Sequence, residues 1–436
     1  MKRSNGLPHR GRRPAAGILW LAIALTIPPA VSAAGAWPQW GGPHRNFRVD
    51  SPALAERWPA GGPRRLWTRE LGEGYSAIVA DASTLYTMYR DGEQEVIVAL
   101  RAENGETRWE HRYLATTYPD HAVKYGKGPN ATPLVAGDRL IAIGYTGILH
   151  ALDAESGEQM WSHDLIRDFQ GEILRFGYSA SPLRYRDTIV VLVGGKTHGV
   201  VAFDPRDGSV VWKSPPLYTS YASPIAIRVA GQDQIVFLSS EQIIGIDAEN
   251  GDYLWSAPCR NGMGNNASDP VWGDGNLLWV ASQPGDGTRV LRLAQRDGKT
   301  RVSPLWSTSQ ITIHYWNAIR VGDYVYASIG GPGTILAAID VRTGEIAWRE
   351  RGFRRAHAIY ADDKLIFLDE DGRLVLARVS PETIDVLAQA PLFEDEAWTV
   401  PTLVGSTLYA RNRKTIVAVE LGEARGETPP PSRQAN

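Results

Sequence analysis

A short phrase ending in proline recurs along this chain: Asn130-Ala131-Thr132-Pro133, Ser179-Ala180-Ser181-Pro182, Tyr221-Ala222-Ser223-Pro224, Ala267-Ser268-Asp269-Pro270 and Trp398-Thr399-Val400-Pro401. Tyr75, Tyr315 and Arg355 hold the equivalent first place where the proline is missing. The set is then Tyr75, Asn130, Ser179, Tyr221, Ala267, Tyr315, Arg355 and Trp398. Lys124, Tyr178, Asn266, His314, Trp316, Asn317, Arg354 and His357 flank it. Aromatic faces mixed with amides and a few cations are the groups that hold a small polar ligand. The ligand-binding candidates are Tyr75, Asn130, Tyr178, Tyr221, Asn266, Tyr315, Trp316, Arg355, His357 and Trp398. The alternative stands beside it: if these positions face a central channel, the side chains fill the axis and satisfy strand ends.

Covalent and metal chemistry find no comparable pattern. The nine histidines form no His-Glu-x-x-His pair. There is no Gly-x-Ser-x-Gly elbow and no Gly-Lys-Ser/Thr phosphate loop. Gly262-Met263-Gly264 lacks a strand-to-helix context and reads as loop. Asp369-Glu370-Asp371-Gly372 lies between two strand-like runs and reads as a solvated hairpin turn rather than a calcium loop. Cys259 is the only cysteine, so an internal disulfide cannot form. A small buried apolar role suits it better than a catalytic thiol. No catalytic residue and no metal site are expected.

The elements that must position these residues are read from tryptophan. Trp67, Trp109, Trp161, Trp212, Trp255, Trp306 and Trp348 recur every 42 to 52 residues, the period of a β-propeller blade. Most close one phrase: ALDAESGEQMW at 151–161, AFDPRDGSVVW at 202–212, AIDVRTGEIAW at 338–348, and more loosely GIDAENGDYLW at 245–255. Its Asp accepts hydrogen bonds from turn amides and its Gly takes the positive φ of a bulged hairpin. Its Trp opens an outer strand and offers a flat face to the neighbouring blade. Between tryptophans lie paired β-branched and aromatic runs such as Leu85–Tyr89 with Val96–Leu100, split by Gly and Asp. A seventh unit has lost the phrase, with Thr383 and Leu387 in the places of Gly and Trp. An eighth supplies only Leu408–Ala410 and Ile416–Val419. Trp67 has no inner strands of its own. The economical architecture is all-β, an eight-bladed β-propeller whose last blade is closed by the N-terminal strand at Leu66-Trp67. Rotation then puts the phrase residues on one ring at one mouth of the channel.

The A-x-D-x-x-T-G-x-x-x-W phrase resembles the tryptophan-docking repeat of quinoprotein (PQQ-dependent) alcohol dehydrogenases. It also resembles their non-enzymatic relatives, among them the lipoprotein propeller of the outer-membrane barrel assembly machinery. The resemblance covers residues 66–422, and Trp37–Phe47 (WPQWGGPHRNF) is similar to exported PQQ-like repeat proteins. It implies an eight-bladed ring with each Trp between blades. The dehydrogenases of that family stack the quinone on a vicinal disulfide and hold calcium in an acidic and amide set. One cysteine cannot supply the first, and no segment here matches the second.

The ends and the charge complete the reading. Residues 1–36 carry five basic residues before an apolar stretch, then small residues, which reads as a cleavable secretory leader. An uncleaved anchor is the alternative, but the stretch is short for a span. Residues 37–65 form an extended segment, 66–422 the propeller, and 423–436 a disordered tail rich in Pro and charge. Losing the five basic residues takes the net charge from −2 to −7, a poor fit to nucleic acid or anionic lipid. The expected protein is exported, periplasmic or secreted, has no cofactor, and acts as a binding or scaffolding propeller for an envelope protein or a small polar ligand. Two alternatives remain: a dehydrogenase using PQQ with calcium, and a carbohydrate-binding propeller.

Overall fold

Alternating tight turns and short apolar runs fold into eight antiparallel sheets of four strands each. The computed structural model describes Met1 and residues 36–81, 83–117, 123–330 and 333–423. Nearly all of the expected leader and tail lie outside the described residues. The first blade is Val79–Asp81, Thr84–Asp91, Gln94–Arg101 and Thr107–Leu114. Its second strand, TLYTMYRD, is buried on both faces because a neighbouring sheet packs on each side. Its outermost strand alternates between exposed and half-buried positions, as a strand at the rim must. The seventh blade is Ala356–Ala361, Lys364–Asp369, Arg373–Val379 and Ile384–Pro391.

The ring closes as the sequence requires. Arg64–Glu70 is the outer strand of the eighth blade and pairs antiparallel with Thr415–Glu420, Trp67 opposite Ala418. In each complete repeat the outer strand carries one extra residue just before the tryptophan. Ala99 faces Trp109 while Leu100 faces Thr107, so Arg108 bulges out. Such a bulge bends the strand and re-aims the next side chain. The seventh blade keeps the bulge but shifts the expected equivalence by one. Leu376 faces Ala388 and Ala377 faces Val386, so Leu387 is the bulged residue and Ala388 takes the tryptophan's place.

The tryptophans reach the following blade. Trp109 Nε1 donates to the carbonyl of Ala154 at 3.1 Å, and a Cβ placed on Gly157 would lie 2.5 Å from the Trp109 ring. Gly157 has φ of 76°, which only glycine holds without strain. Asp153 Oδ1 accepts from the amides of Glu155 and Ser156 at 3.1 and 2.8 Å. Trp255 differs, its Nε1 donating to Gln234 Oε1 of its own blade at 2.7 Å. The fifth blade's outer hairpin turns at Arg296–Lys299 and offers it no phrase glycine.

Two features of the axis were not legible from the repeats. The first is a latch built from the residue before four of the five phrase prolines. Thr132 Oγ1 accepts from Ala77 N (3.1 Å), Ser181 Oγ from Thr132 N (3.0 Å), Ser223 Oγ from Ser181 N (3.0 Å) and Asp269 Oδ1 from Ser223 N (2.6 Å). Each blade thus hands a side-chain acceptor to the backbone of the one before. Asn317 does the same forwards, pairing both amide atoms with Ala358. At the closure, fully buried Arg411 of the eighth blade donates to the carbonyls of Ser76 and Met88 beside the first blade.

The second is a strap. The segment after residue 36 does not stay outside the ring. Trp37 bridges to Ala80, Pro38 accepts from Val135 N, and Phe47 and Val49 exchange backbone bonds with Tyr360. Arg45 donates to the carbonyls of Ser181, Pro182 and Pro224 at 3.2, 2.8 and 2.9 Å. Leu165–Phe169 is a single turn of helix capped by Asp164, too short to show periodicity in the sequence.

Candidate functional site

Where the phrases meet, the ring opens into a cavity of about 960 Å³. All eight ring positions line it: Tyr75, Asn130, Ser179, Tyr221, Ala267, Tyr315, Arg355 and Trp398. Lys124, His314, Trp316 and His357 join them. The strap contributes Trp40, and the latch contributes Ser181, Ser223 and Asp269.

The wall is an arc of touching rings. Tyr75 and Trp398 stack at 5.7 Å with 26° between planes, and Tyr315 meets Trp398 at 5.4 Å. Tyr125 sits 6.0 Å from Trp398 and 6.3 Å from Phe176, which is 5.8 Å from Tyr221. Local bonds fix the arc. The Tyr75 hydroxyl donates to the Tyr125 carbonyl at 2.6 Å, Asn130 Nδ2 donates to the Phe176 carbonyl at 3.0 Å, and the Tyr221 hydroxyl accepts from Phe176 N at 3.1 Å. Arg355 lies 5.8 Å over the Trp316 ring and pairs with Glu370 at 3.1 Å. Trp316 is itself buried, its Nε1 donating to the Ser328 carbonyl.

Burial sets the protonation of this wall. It pushes the Tyr221 and Tyr315 hydroxyls up to about 12, so both are neutral at pH 7. It lowers His357 to about 4, and lowers His314 with a further push from Arg355, so the neutral imidazole is favoured. At the inner end, burial raises Asp269 to about 6 although Trp40 Nε1 and Ser223 N donate to it and Arg45 is near. The tyrosine and histidine groups stack on rings, donate and accept without changing proton state near pH 7, whereas Asp269 titrates just below it.

Two candidates turn away from the cavity. Tyr178 packs between blades two and three, its hydroxyl donating to the Val193 carbonyl at 2.9 Å, and burial holds its phenol far above the usual range. Asn266 is 1 % exposed and spends its amide on Ser239, Asn261 and Ser282. Both neighbour a wall residue in sequence but lie in the loops before their blades' first strands, where their hydroxyl and amide find partners away from the cavity. Of the flanking positions, Asn317 is a latch and Arg354 pairs with Asp371 outside the cavity. Sequence reasoning missed Trp40, Tyr125, Phe176 and Asp269. Asp269 carried a signal: it occupies the pre-proline latch position where the three preceding phrases have the hydroxyls of Thr132, Ser181 and Ser223.

A quinone with calcium would need partners that the cavity does not offer. Cys259 is buried in the packing of blades four and five rather than on the wall. Among the described residues no three His, Cys, Asp or Glu side chains are gathered to hold a metal ion. The acidic run at 369–371 is a hairpin turn whose carboxylates already face Arg373, Arg355 and Arg354. The residues present therefore do not fit that group.

Known proteins share both repeat and ring. The chain is 24% identical over 270 residues to the outer membrane protein assembly factor BamB of Yersinia pestis, a match covering 56% of this chain and 64% of that relative. It therefore spans just under two thirds of that relative's length. The structure of BamB from Moraxella catarrhalis matches with a TM-score of 0.53 at 17% identity, covering 82% of this chain and 99% of the other. The quinohemoprotein alcohol dehydrogenase ADHIIG from Pseudomonas putida HK5 matches with a TM-score of 0.64 at 14% identity, over 92% and 82% respectively. Identities this low establish a common fold and no common chemistry. The family described as outer membrane protein assembly factor BamB matches residues 93–350, more than half of the chain, and this protein belongs to that family of PQQ-like β-propellers.

Proposed function

We infer that the protein is an exported, non-catalytic binding module of the cell envelope, periplasmic or secreted, that holds its ligand or partner at the channel mouth. The observation that carries this reading is the wall itself, an arc of fixed aromatic rings with neutral hydroxyls and imidazoles beside it. Such groups dock a ligand by surface and hydrogen bonds. Membership of the BamB family supports an envelope setting. The seven tryptophans are read as docking residues between blades, supported by the Trp109–Gly157 and Trp306–Gly344 contacts. No helix of the described residues is long and apolar enough to cross a membrane.

The test is made on purified full-length protein, with and without PQQ and calcium, watching dye reduction with simple alcohols. Turnover above the cofactor-only control would overturn the binding reading. Fractionation of cells carrying the native gene should place the protein in the periplasmic or secreted fraction; recovery in the cytoplasm alone would overturn the export.

A further inference from the structure

At the channel mouth many backbone donors are already spent. The amides of Tyr75 and Ser76 both donate to the Pro129 carbonyl, and those of Tyr221 and Ala222 to the Asn266 carbonyl. The latch consumes the amides of Ala77, Thr132, Ser181 and Ser223. An extended peptide recognised through its main chain needs a free strand edge, and none of these amides is left to provide one.

What remains free is side chain. Trp398 Nε1 and His357 Nδ1 have no protein partner. Across the cavity, in the blade-five sector that the aromatic arc skips, the carboxamides of Asn265 and Gln283 line the wall with their buried oxygens unpartnered. Buried carboxamide oxygens need donors from the ligand, which a bare carboxylate lacks. A hydroxyl donates and accepts at once. The contacting rings of the arc make a continuous aromatic wall, suited to the C–H faces of saturated rings.

The rim adds a sign. Lys124 lies 5.3 Å over Tyr125 and Arg175 lies 5.9 Å over Phe176, and neither has a carboxylate partner among the described residues. Both cations therefore stand at the edge of the aromatic arc without an ion pair, Glu396 being a separate acid on the cavity wall.

We propose that the mouth binds an anionic oligosaccharide, its sugar rings stacked on Trp398, Tyr75 and Tyr315, its hydroxyls on Asn265 and Gln283, and its acidic groups toward Lys124 and Arg175. This rests on the binding reading above and names the ligand class for the same cavity. The volume lies at the upper end of the ~300–1,000 Å³ typical of ligand clefts, room for a short oligomer.

The experiment titrates the full chain with a galacturonic acid tetramer, a neutral cellotetraose and sodium phosphate, following tryptophan fluorescence and calorimetric heat. The acidic tetramer should bind saturably and more tightly than the neutral one, while phosphate gives no saturable signal. Trp398→Ala should weaken both sugars about tenfold. Lys124→Gln with Arg175→Gln should weaken the acidic tetramer about fivefold and leave the neutral one unchanged. No saturable binding of either tetramer by folded wild type, equal binding by Trp398→Ala, or phosphate binding as tightly as sugar would each overturn the proposal. The binding reading has its own readouts in dye reduction and cell fractionation, so the two can fail separately.

Discussion

At the scale of residues, the mouth side chains and the latch side chains differ in what they support. Trp398 and Arg355 face the cavity, and their replacement leaves the blade-to-blade bonds in place. Trp398→Ala and Arg355→Ala should each keep the melting temperature within about 2 °C of wild type, measured by circular dichroism. A large loss in both would show that the ring only plugs the channel. Arg411 is the opposite case, a cation without exposure whose donors hold two blades together. Arg411→Met leaves buried carbonyls unpaired and should cost about 3 kcal/mol in chemical denaturation. Asp269 gives a pH signature. Its folded value, raised by burial to about 6, lies above that of the unfolded chain. The stability it contributes is therefore complete below about pH 4 and is lost as pH rises through about 6. Relative to Asp269→Asn, wild type should lose about 1–2 kcal/mol between pH 4 and 7 in denaturant titrations, the slope rather than the offset being diagnostic.

At the scale of elements, the bulged outer strand and the glycine turn of the following blade form one joint. Gly157→Ala puts a Cβ into the Trp109 ring and strains a φ of 76°. It should destabilise by about 2 kcal/mol, while the same change at Gly137, where a Cβ meets nothing, should cost only its own φ strain. Paired thermal melts of the two variants separate the packing from the backbone effect. The joint also shows where the sequence misled. The sequence reading places Leu387 in the tryptophan slot, whereas the ladder gives that slot to Ala388. A bulge moves register by one residue, and register is a property of the pair of strands rather than of either alone.

At the scale of the whole molecule, the strap decides what the channel is. Arg45 reaches three carbonyls in two successive phrases, and Trp40 reaches Asp269, so the inner end of the cavity is built from a segment more than a hundred residues away in sequence. Arg45→Met should loosen the strap from blades three and four, with about 3 kcal/mol lost in denaturation and weaker ligand quenching. The aromatic opening of this segment was visible in the sequence as WPQWGGPHRNF, but nothing in its local pattern said that it would cross the ring.

The sequence by itself determined the number of blades, the closure by Trp67, and the eight positions of the mouth, because repeats that bury the same faces must adopt the same local structure and rotation carries one onto the next. Position along the repeat was therefore enough for Tyr75, Asn130, Tyr221, Tyr315, Arg355 and Trp398. The tertiary structure alone decided which neighbours of those positions face the cavity. It sent Tyr178 and Asn266 into blade packing, brought Tyr125 and Phe176 in from loops, and set Trp40 and Asp269 together at the inner end. Loops and straps do not repeat, so no periodicity constrains them; their places are fixed by which buried polar groups across the ring need a partner.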